Sequence, residues 1–465
     1  MFAARTTNLS HRVGYSCAWG FLVMAAIGSP LQAQNYKTIP PKLDVKEANQ
    51  LKVKVAAALR NPAGFGTDQT AVADYLMKFQ FPMMTKYGPD ELARLAADRV
   101  RHFKLIAAAA NAGSQQFLVD ITLKAARVLA RDNYHPAVRY NAVLMLGDLD
   151  KQLATSTTPA VPLPAATKEL LELASQGKIN GVVIPESVKL GALIGLERHS
   201  RLGMDPALTE QSKKTMLGVI ADREAGEGVE QDVHDWVRTL AAQVLANLSA
   251  QGPTKEIQDT FTKMIADKKM GLDDRCNVTA ALGKMKYTPS AEIDGQGATM
   301  SLAGVTSDVV AEAAKVAEKY QKEALGGADF SRPGGFGGGG YGGGRGEFGG
   351  GGFGNQQEMG PKFDRRQLMA RLMNITTGGK SLSAGLPDDF KSRLEELLTE
   401  IKPVRDTMEA KGSVDLDVTK EVIALEGRLK MLLEGWPKPA GAEKAAPEKA
   451  EDFEARQPER DATAR

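Results

Sequence analysis

The sequence predicts an all-α protein, and three observations support that prediction. A pattern that places small and apolar residues on one helical face occurs four times between residues 135 and 285. The segments between these copies have apolar helical stripes of their own. Aromatic residues make up only 6% of the chain while Ala and Leu are abundant, which suits helix-on-helix packing better than a sheet core.

The pattern is clearest in its first copy, residues 135–149. Counting from Arg139, Ala142 follows after three residues and Leu146 after seven, which places both on one face of a helix. Gly147, near the far end, allows close packing or fraying. We therefore expect one short helix here.

The same spacing starts at three later reference positions, Lys189, Arg238 and Arg275. The four reference positions are 50, 49 and 37 residues apart, near the period of two-helix repeats. The copy at Lys189 differs from the other three copies, which have Arg at this position. The apolar positions of the later copies are Ala192 and Leu196, then Ala241 and Leu245, then Val278 and Leu282.

Each segment between copies supplies a second helix. Its apolar residues are Leu170, Leu171 and Ala174 after the first copy, Leu208, Met216, Leu217 and Ile220 after the second, and Ile257, Phe261, Met264 and Ile265 after the third.

Over roughly residues 90–290 this arrangement resembles the HEAT-repeat family of α-solenoids, in which a hydrophobic residue followed by Arg opens one helix of every pair. The matching pairs are Val138-Arg139, Val188-Lys189 and Val237-Arg238, whereas Asp274 replaces the hydrophobic residue before Arg275. The resemblance implies an α-solenoid that presents a long surface to a protein or peptide partner.

Further helices extend the predicted solenoid, which we place at residues 67–325. They are expected at residues 71–79, 90–108 and 115–130 before the first copy and at 307–325 after the last. Residues 34–66 form an N-terminal lead with a short polar helix, and the Thr/Pro-rich residues 155–164 form a surface loop.

Residues 1–33 have the pattern of a secretory signal. Arg5 and Arg12 give a basic start, residues 17–28 are apolar, and a suitable cleavage site follows Ala33. We expect export to the periplasm or the exterior, with no stable membrane span after cleavage. An uncleaved N-terminal membrane anchor is the alternative.

The net charge of +2, from 59 basic and 57 acidic residues, argues against binding to nucleic acid or an anionic membrane. Only Cys276 would remain after cleavage, and a buried structural thiol is favoured over a reactive one. The remaining histidines have no ligand spacing, so we expect no metal site. For His135 and His234, which precede pattern helices, a capping or solvent-facing role is favoured over catalysis.

Arg139, Arg238 and Arg275 could bind an anion. Their recurrence at one repeat position instead favours a ladder of hydrogen bonds and ion pairs within the fold, with Asp148 and Asp232 as candidate partners. The sequence contains none of the phosphate-binding, zinc-protease, CxxC or serine-hydrolase motifs. We therefore predict no catalytic residues and no cofactor, although a site assembled from distant residues would leave no such motif.

Residues 326–362 are predicted to be a flexible Gly-rich linker, because residues 334–354 cannot bury enough surface to fold. Its aromatic residues and Arg345 would alternatively suit nucleic-acid binding or self-association. Residues 363–436 form a small helical module, with apolar stripes over residues 390–408 and 418–436 that suit a hairpin. This hairpin needs either a shorter third helix, at residues 364–374, or a partner chain, as in a homo-oligomer through residues 390–436. Residues 437–465 form a disordered charged tail.

Two functions agree with these predictions. The first is an exported scaffold that binds a protein or peptide through the solenoid surface. The second is a self-associating component of the cell envelope that uses the C-terminal hairpin and the aromatic Gly-rich segment. An enzyme is a distant third.

Overall fold

The computed structural model describes residues 35–288, 293–326 and 363–436. The predicted signal with its cleavage point after Ala33, almost all of the Gly-rich segment, and the charged tail lie outside these residues. The described part of the chain is dominated by helices, as the sequence predicts.

The N-terminal half begins with helices that precede and include the first two pattern copies. They are α1 (Val45–Leu59), α2 (Gln69–Tyr75), α3 (Phe81–Met83), α4 (Pro89–Ala107), α5 (Ala112–Arg131), α6 (Pro136–Gly147), α7 (Pro164–Ser175) and α8 (Glu186–Leu202). A π-helical turn over Leu76–Gln80 joins α2 to α3.

The remaining helices continue through the last two copies to the C-terminal module. They are α9 (Pro206–Ala221), α10 (Gln231–Leu248), α11 (Lys255–Ala266), α12 (Leu272–Leu282), α13 (Gly295–Gly326), α14 (Arg365–Ser383), α15 (Asp388–Glu409) and α16 (Asp415–Glu434).

Local sequence explains where several helices begin. The Asp44 side chain accepts a hydrogen bond from the backbone N–H of Glu47, whose side chain accepts one from Asp44 N–H, so α1 starts with a capping box. Asn111 caps α5 through its side-chain oxygen. The ring Nδ1 of His135 accepts from the N–H of Ala137 at the start of α6, which confirms the capping role of this histidine.

The pattern helices pack on one another in chain order, α6 on α8, α8 on α10, and α10 on α12. The intervening helices α7, α9 and α11 pack against them as a second row, with α7 contacting α9 and α11 contacting α13. This arrangement of many helices in contact is compatible with a helical solenoid. Its seams are buried hydrophobic residues, and Leu146, Leu196, Leu245 and Leu282 are fully buried.

The N-terminal lead contributes to this core. Val55, Ala58 and Leu59 of α1 are buried, and α1 packs against α2. The polar helix expected from the sequence therefore covers the end of the helical array through one apolar edge.

Two short β-ribbons interrupt the helical array, and the fold is otherwise all-α, as the sequence predicts. Strand β1 (Asp150–Gln152) pairs antiparallel with β2 (Val161–Pro162), and β3 (Lys178–Ile179) pairs with β4 (Val182–Val183). The first ribbon closes the predicted Thr/Pro-rich loop at its base. Arg198 of α8 fixes this base through a two-pronged hydrogen bond to the Asp150 carboxylate, at 2.8 and 2.7 Å.

The C-terminal module carries the two predicted apolar stripes on α15 and α16, and the shorter helix predicted at residues 364–374 is the longer α14. It consists of three helices, and they pack on the preceding array: α14 lies against α12, and α16 lies against α13. Helices α12 and α14 approach so closely that a Cβ on Gly378 would lie 2.3 Å from the Thr279 carbonyl oxygen. The absence of a side chain at Gly378 therefore permits this contact.

The apolar stripes of the predicted hairpin are buried by packing within the chain. Leu394, Leu397 and Ile401 of α15 are fully buried, as are Val418 and Leu425 of α16. A homo-oligomer through residues 390–436 would have to use other residues of these helices. Their periodicity indicated burial correctly, but the partner surface is this chain's own α13 and α14.

Candidate functional site

The repeat arginines bond to the ends of neighbouring helices. Nε of Arg139 donates to the Ala130 carbonyl at 3.0 Å, and Ala130 is the penultimate residue of α5. Nε of Arg238 donates to the Ile220 carbonyl at 3.1 Å, and Ile220 is the penultimate residue of α9.

Arg275 repeats this geometry, because its Nε donates at 2.7 Å to the carbonyl of Ile265, the penultimate residue of α11. Carbonyls in the last turn of a helix lack intrahelical donors and carry partial negative charge. A buried guanidinium supplies both the missing N–H donor and a compensating positive charge. All three arginines are buried. They are thus structural caps and are not available to a solvent-borne anion.

The ion pairs of this ladder differ from the predicted ones. Arg238 donates to Asp235 at 2.8 Å rather than to Asp232, and Arg275 donates to Asp308 at 2.8 Å. Asp148 faces Arg99 at 3.8 Å.

The copy at Lys189 breaks the ladder. Its Nζ donates to Oε1 of Glu186, one turn earlier on the same helix, at 2.7 Å. The corresponding helix end is that of α7, whose penultimate residue is Ala174.

The outer face of the pattern helices carries exposed apolar side chains that our sequence analysis did not predict. Trp236 on α10 is 48% exposed and Val233 beside it is 38% exposed. Leu240, one turn further along α10, and Ile194 on the adjacent α8 are half-buried. The helical wheel already contained the signal, because Trp236 and Leu240 lie off the face occupied by Ala241 and Leu245.

Charged groups flank this exposed face on the side of α12. Asp232 is exposed in the first turn of α10, and Asp273 and Asp274 begin α12. Burial, together with the nearby carboxylates of Asp235 and Asp273, raises the pKa of Asp274 to about 6. A cation approaching here would favour the charged form of this carboxylate.

Two histidines serve the core. His102 is fully buried, and burial lowers its pKa to about 4. Its Nε2 bonds to Thr122 Oγ1 at 2.6 Å, and its Nδ1 bonds to Gln80 at 3.1 Å. His199 is equally buried and bridges Thr167 and the Gly147 carbonyl, with its pKa lowered to about 4 by burial.

His234 is buried in the first turn of α10, so it does not face solvent, and it caps the end of α9 rather than the start of α10. Its Nε2 bonds to the Asp222 carbonyl at 2.9 Å.

Cys276 is buried in α12, and burial raises the pKa of its thiol to about 12. This environment favours the structural interpretation of the cysteine. In the described ranges, no cluster of three or more His, Cys, Asp or Glu side chains could hold a metal ion. Nor does any helix in these ranges have the length and apolar character needed to cross a membrane.

A cavity of about 490 Å³ lies among α1, the π-helical turn and α4. Tyr75 and Phe79 stack along its wall with ring centroids 6.1 Å apart. Arg101 and Asp98 in the same lining are paired with each other. The arrangement lacks a histidine or cysteine that could act as a nucleophile or base at neutral pH.

The chain matches no protein-family model, and comparisons with curated proteins and with solved structures likewise give no match.

Proposed function

We propose that this chain is an exported, non-enzymatic scaffold with a HEAT-like α-solenoid, and that it binds an extended segment of a protein partner across the exposed face of its pattern helices. The observation that carries this proposal is Trp236, a large aromatic side chain left half in solvent at the middle of the helical row. Trp is enriched among the residues that dominate binding energy at protein interfaces.

The solenoid part of the proposal rests on the repeated cap. Three copies place Arg at one position and join it to the penultimate carbonyl of the preceding helix, which is what repeating two-helix units require. The exported location rests on the basic start, apolar core and cleavage site within residues 1–33.

Helix spacing indicates an extended partner segment. Packed helices lie about 8–10 Å apart, and an extended polyproline II segment advances about 3.1 Å per residue with three residues per turn, so every third residue, on one side of such a segment, would meet the next helix. Ile194 on α8 and Trp236 on α10 would then receive two apolar side chains. A basic residue of the partner would lie near Asp232 and Asp274.

The test compares Trp236→Ala with Met431→Ala in the full chain. Met431 is also exposed, but it lies on α16, away from the pattern helices. Both variants and the wild type would carry a photo-crosslinker at Gln243 of α10, and crosslinked peptides from envelope extract would be identified by mass spectrometry. We expect one extended partner segment to crosslink to the wild type and to Met431→Ala and to be lost with Trp236→Ala. Equal crosslinking by all three proteins would refute the proposed face.

A further inference from the structure

The copy that lacks its arginine has a cavity where the cap is missing. This cavity of about 420 Å³ lies among α7, α8, α9 and α10. Its lining includes Ala174 and Ser175 at the end of α7, Lys189 on α8, and His234 on α10. Ala174 occupies the penultimate position whose carbonyl receives a guanidinium in the other three copies.

Two buried polar atoms, one on a residue that lines this cavity and one on a residue beside the lining, have no hydrogen-bond partner among the described residues. They are Nδ1 of His234, a residue only 3% exposed, and Oε2 of Glu186, whose side chain is 10% exposed. Oε1 of Glu186 lies 3.9 Å from the same Nδ1. In the neutral ring whose Nε2–H donates to the Asp222 carbonyl, Nδ1 is an acceptor, so both unpartnered atoms await a donor.

We propose that this cavity is a binding site for a guanidinium group, supplied by free arginine or by an arginine side chain of another polypeptide. The incoming group takes the place that Arg139, Arg238 and Arg275 fill in their own copies. Its N–H donors meet the carbonyl of Ala174, Oε2 of Glu186 and Nδ1 of His234. The site is independent of the exposed face around Trp236.

Chemistry at the cavity distinguishes this ligand from others. Nζ of Lys189 already pairs with Oε1 of Glu186, so the groups left unpartnered are the acceptors Oε2 of Glu186 and Nδ1 of His234, and an anion offers a hydrogen-bond donor to neither. A guanidinium offers five donors in a planar fork, whereas an ammonium concentrates its charge and donors at one point. Leaving a buried acceptor without a donor is unfavourable, so the ligand that satisfies both atoms is preferred.

The outer part of the cavity leaves room for the rest of the ligand. Gly218 on α9 lines it, and nothing lies within 4 Å of the position that a Cβ on Gly218 would occupy. Lys214, one turn earlier, is exposed at the same lining. Its ammonium suits the carboxylate of a free amino acid.

The experiment is calorimetric titration of the full chain with four compounds: L-arginine, N-acetyl-arginine amide, citrulline and lysine. Citrulline has the shape of arginine but carries a neutral urea group. We expect saturable binding of an arginine compound at least about tenfold tighter than that of citrulline or lysine, because a hydrogen bond to a charged group is worth about that factor. Tighter binding of L-arginine than of its blocked amide indicates the free amino acid, and the reverse indicates a polypeptide side chain.

Variants test whether the cavity is the site. Lys189→Arg supplies the guanidinium from within the chain, so we expect this variant to have a higher Tm and no arginine binding. Glu186→Gln should weaken arginine binding at least about tenfold. Lys213→Arg, a matched change on α9 outside the lining, should bind as the wild type does. Equal affinity for arginine and citrulline, or unchanged arginine binding by a folded Lys189→Arg protein, would overturn the proposal.

Discussion

Nε of Arg371 on α14 lies 2.5 Å from Oδ1 of Asp273 in the first turn of α12, across a separation of 98 residues. The same guanidinium donates to Glu312 of α13 at 2.9 Å. Arg371 is mostly buried, whereas both carboxylates are more than half exposed, so solvent screens the attraction and these pairs are weak individually. Their main effect is to orient α14 on the array, where close packing supplies the stability.

The first prediction concerns that close packing. Gly378→Ala places a Cβ against the Thr279 carbonyl oxygen, so α12 and α14 must separate. We expect a loss of about 1–3 kcal/mol in the free energy of unfolding, as for other overpacked sites. The matched control is Gly427→Ala on α16, where nothing lies within 4 Å of the added carbon and helix propensity favours Ala. Urea unfolding of both variants measures the difference, and equal midpoints would contradict the docked arrangement.

The second prediction tests the buried seams of the pattern helices. Leu146 and Leu245 are fully buried, and Leu→Ala at such sites leaves a cavity as well as removing apolar contact. Each substitution should cost about 2–5 kcal/mol in denaturant unfolding. Val161→Ala, at an exposed position, should cost less than about 0.5 kcal/mol. Losses that small at both leucines would mean that the buried faces are misassigned.

The third prediction concerns the arginine caps. Arg275→Lys removes the Nε donor to the Ile265 carbonyl and leaves that helix end without its partner, so stability should fall by about 1–3 kcal/mol. Arg366→Lys, at an exposed position of α14, is the control and should be neutral. Chemical denaturation followed by circular dichroism compares the two. Equal stability of both variants would show that the ladder does not stabilise the fold.

Sequence periodicity was enough to predict the pattern helices and their buried positions. Ala142, Leu146 and Leu245 recur at fixed offsets because each helix must bury one face, and that requirement is local. The structural role of the arginines also followed, since a repeated position indicates a repeated internal contact.

Long-range contacts could not be predicted in this way. An apolar stripe such as Leu394 and Leu397 looks the same whether it packs on its own chain or on another. The docking of α14 depends on Gly378 meeting Thr279, a pair that no short-range pattern connects. For the cavity at Lys189, the sequence showed only that Lys replaces Arg. That the Lys189 ammonium bonds to Glu186, and not to the end of α7, depends on side-chain geometry.

The fourth prediction concerns Cys276. Burial raises the pKa of its thiol to about 12, so almost none of it is thiolate at neutral pH. The native protein should therefore react with a disulfide exchange reagent only through unfolding, and at the full rate in denaturant. Rapid labelling of the native chain would show that α12 opens or that the thiol is accessible.

The fifth prediction concerns acid sensitivity. His102 and His199 have pKa values near 4 in the folded chain, against 6.5 for an exposed histidine, because burial disfavours the charged ring. Between these values the unfolded chain binds protons that the native chain does not, so the stability contributed by each neutral histidine is present above pH 6.5 and is lost as pH falls toward 4.

Each histidine should therefore lower the free energy of unfolding by about 2 kcal/mol between pH 7 and pH 5. Asp274 acts in the opposite direction, because its raised pKa lets the native chain bind a proton that the unfolded chain does not. We expect His102→Gln and His199→Gln to flatten the fall in urea midpoint on acidification and Asp274→Asn to steepen it. The two histidine variants thus change the slope of the pH profile in one direction, and Asp274→Asn changes it in the other. Profiles parallel to that of the wild type would show that burial of these histidines and of Asp274 does not govern acid stability.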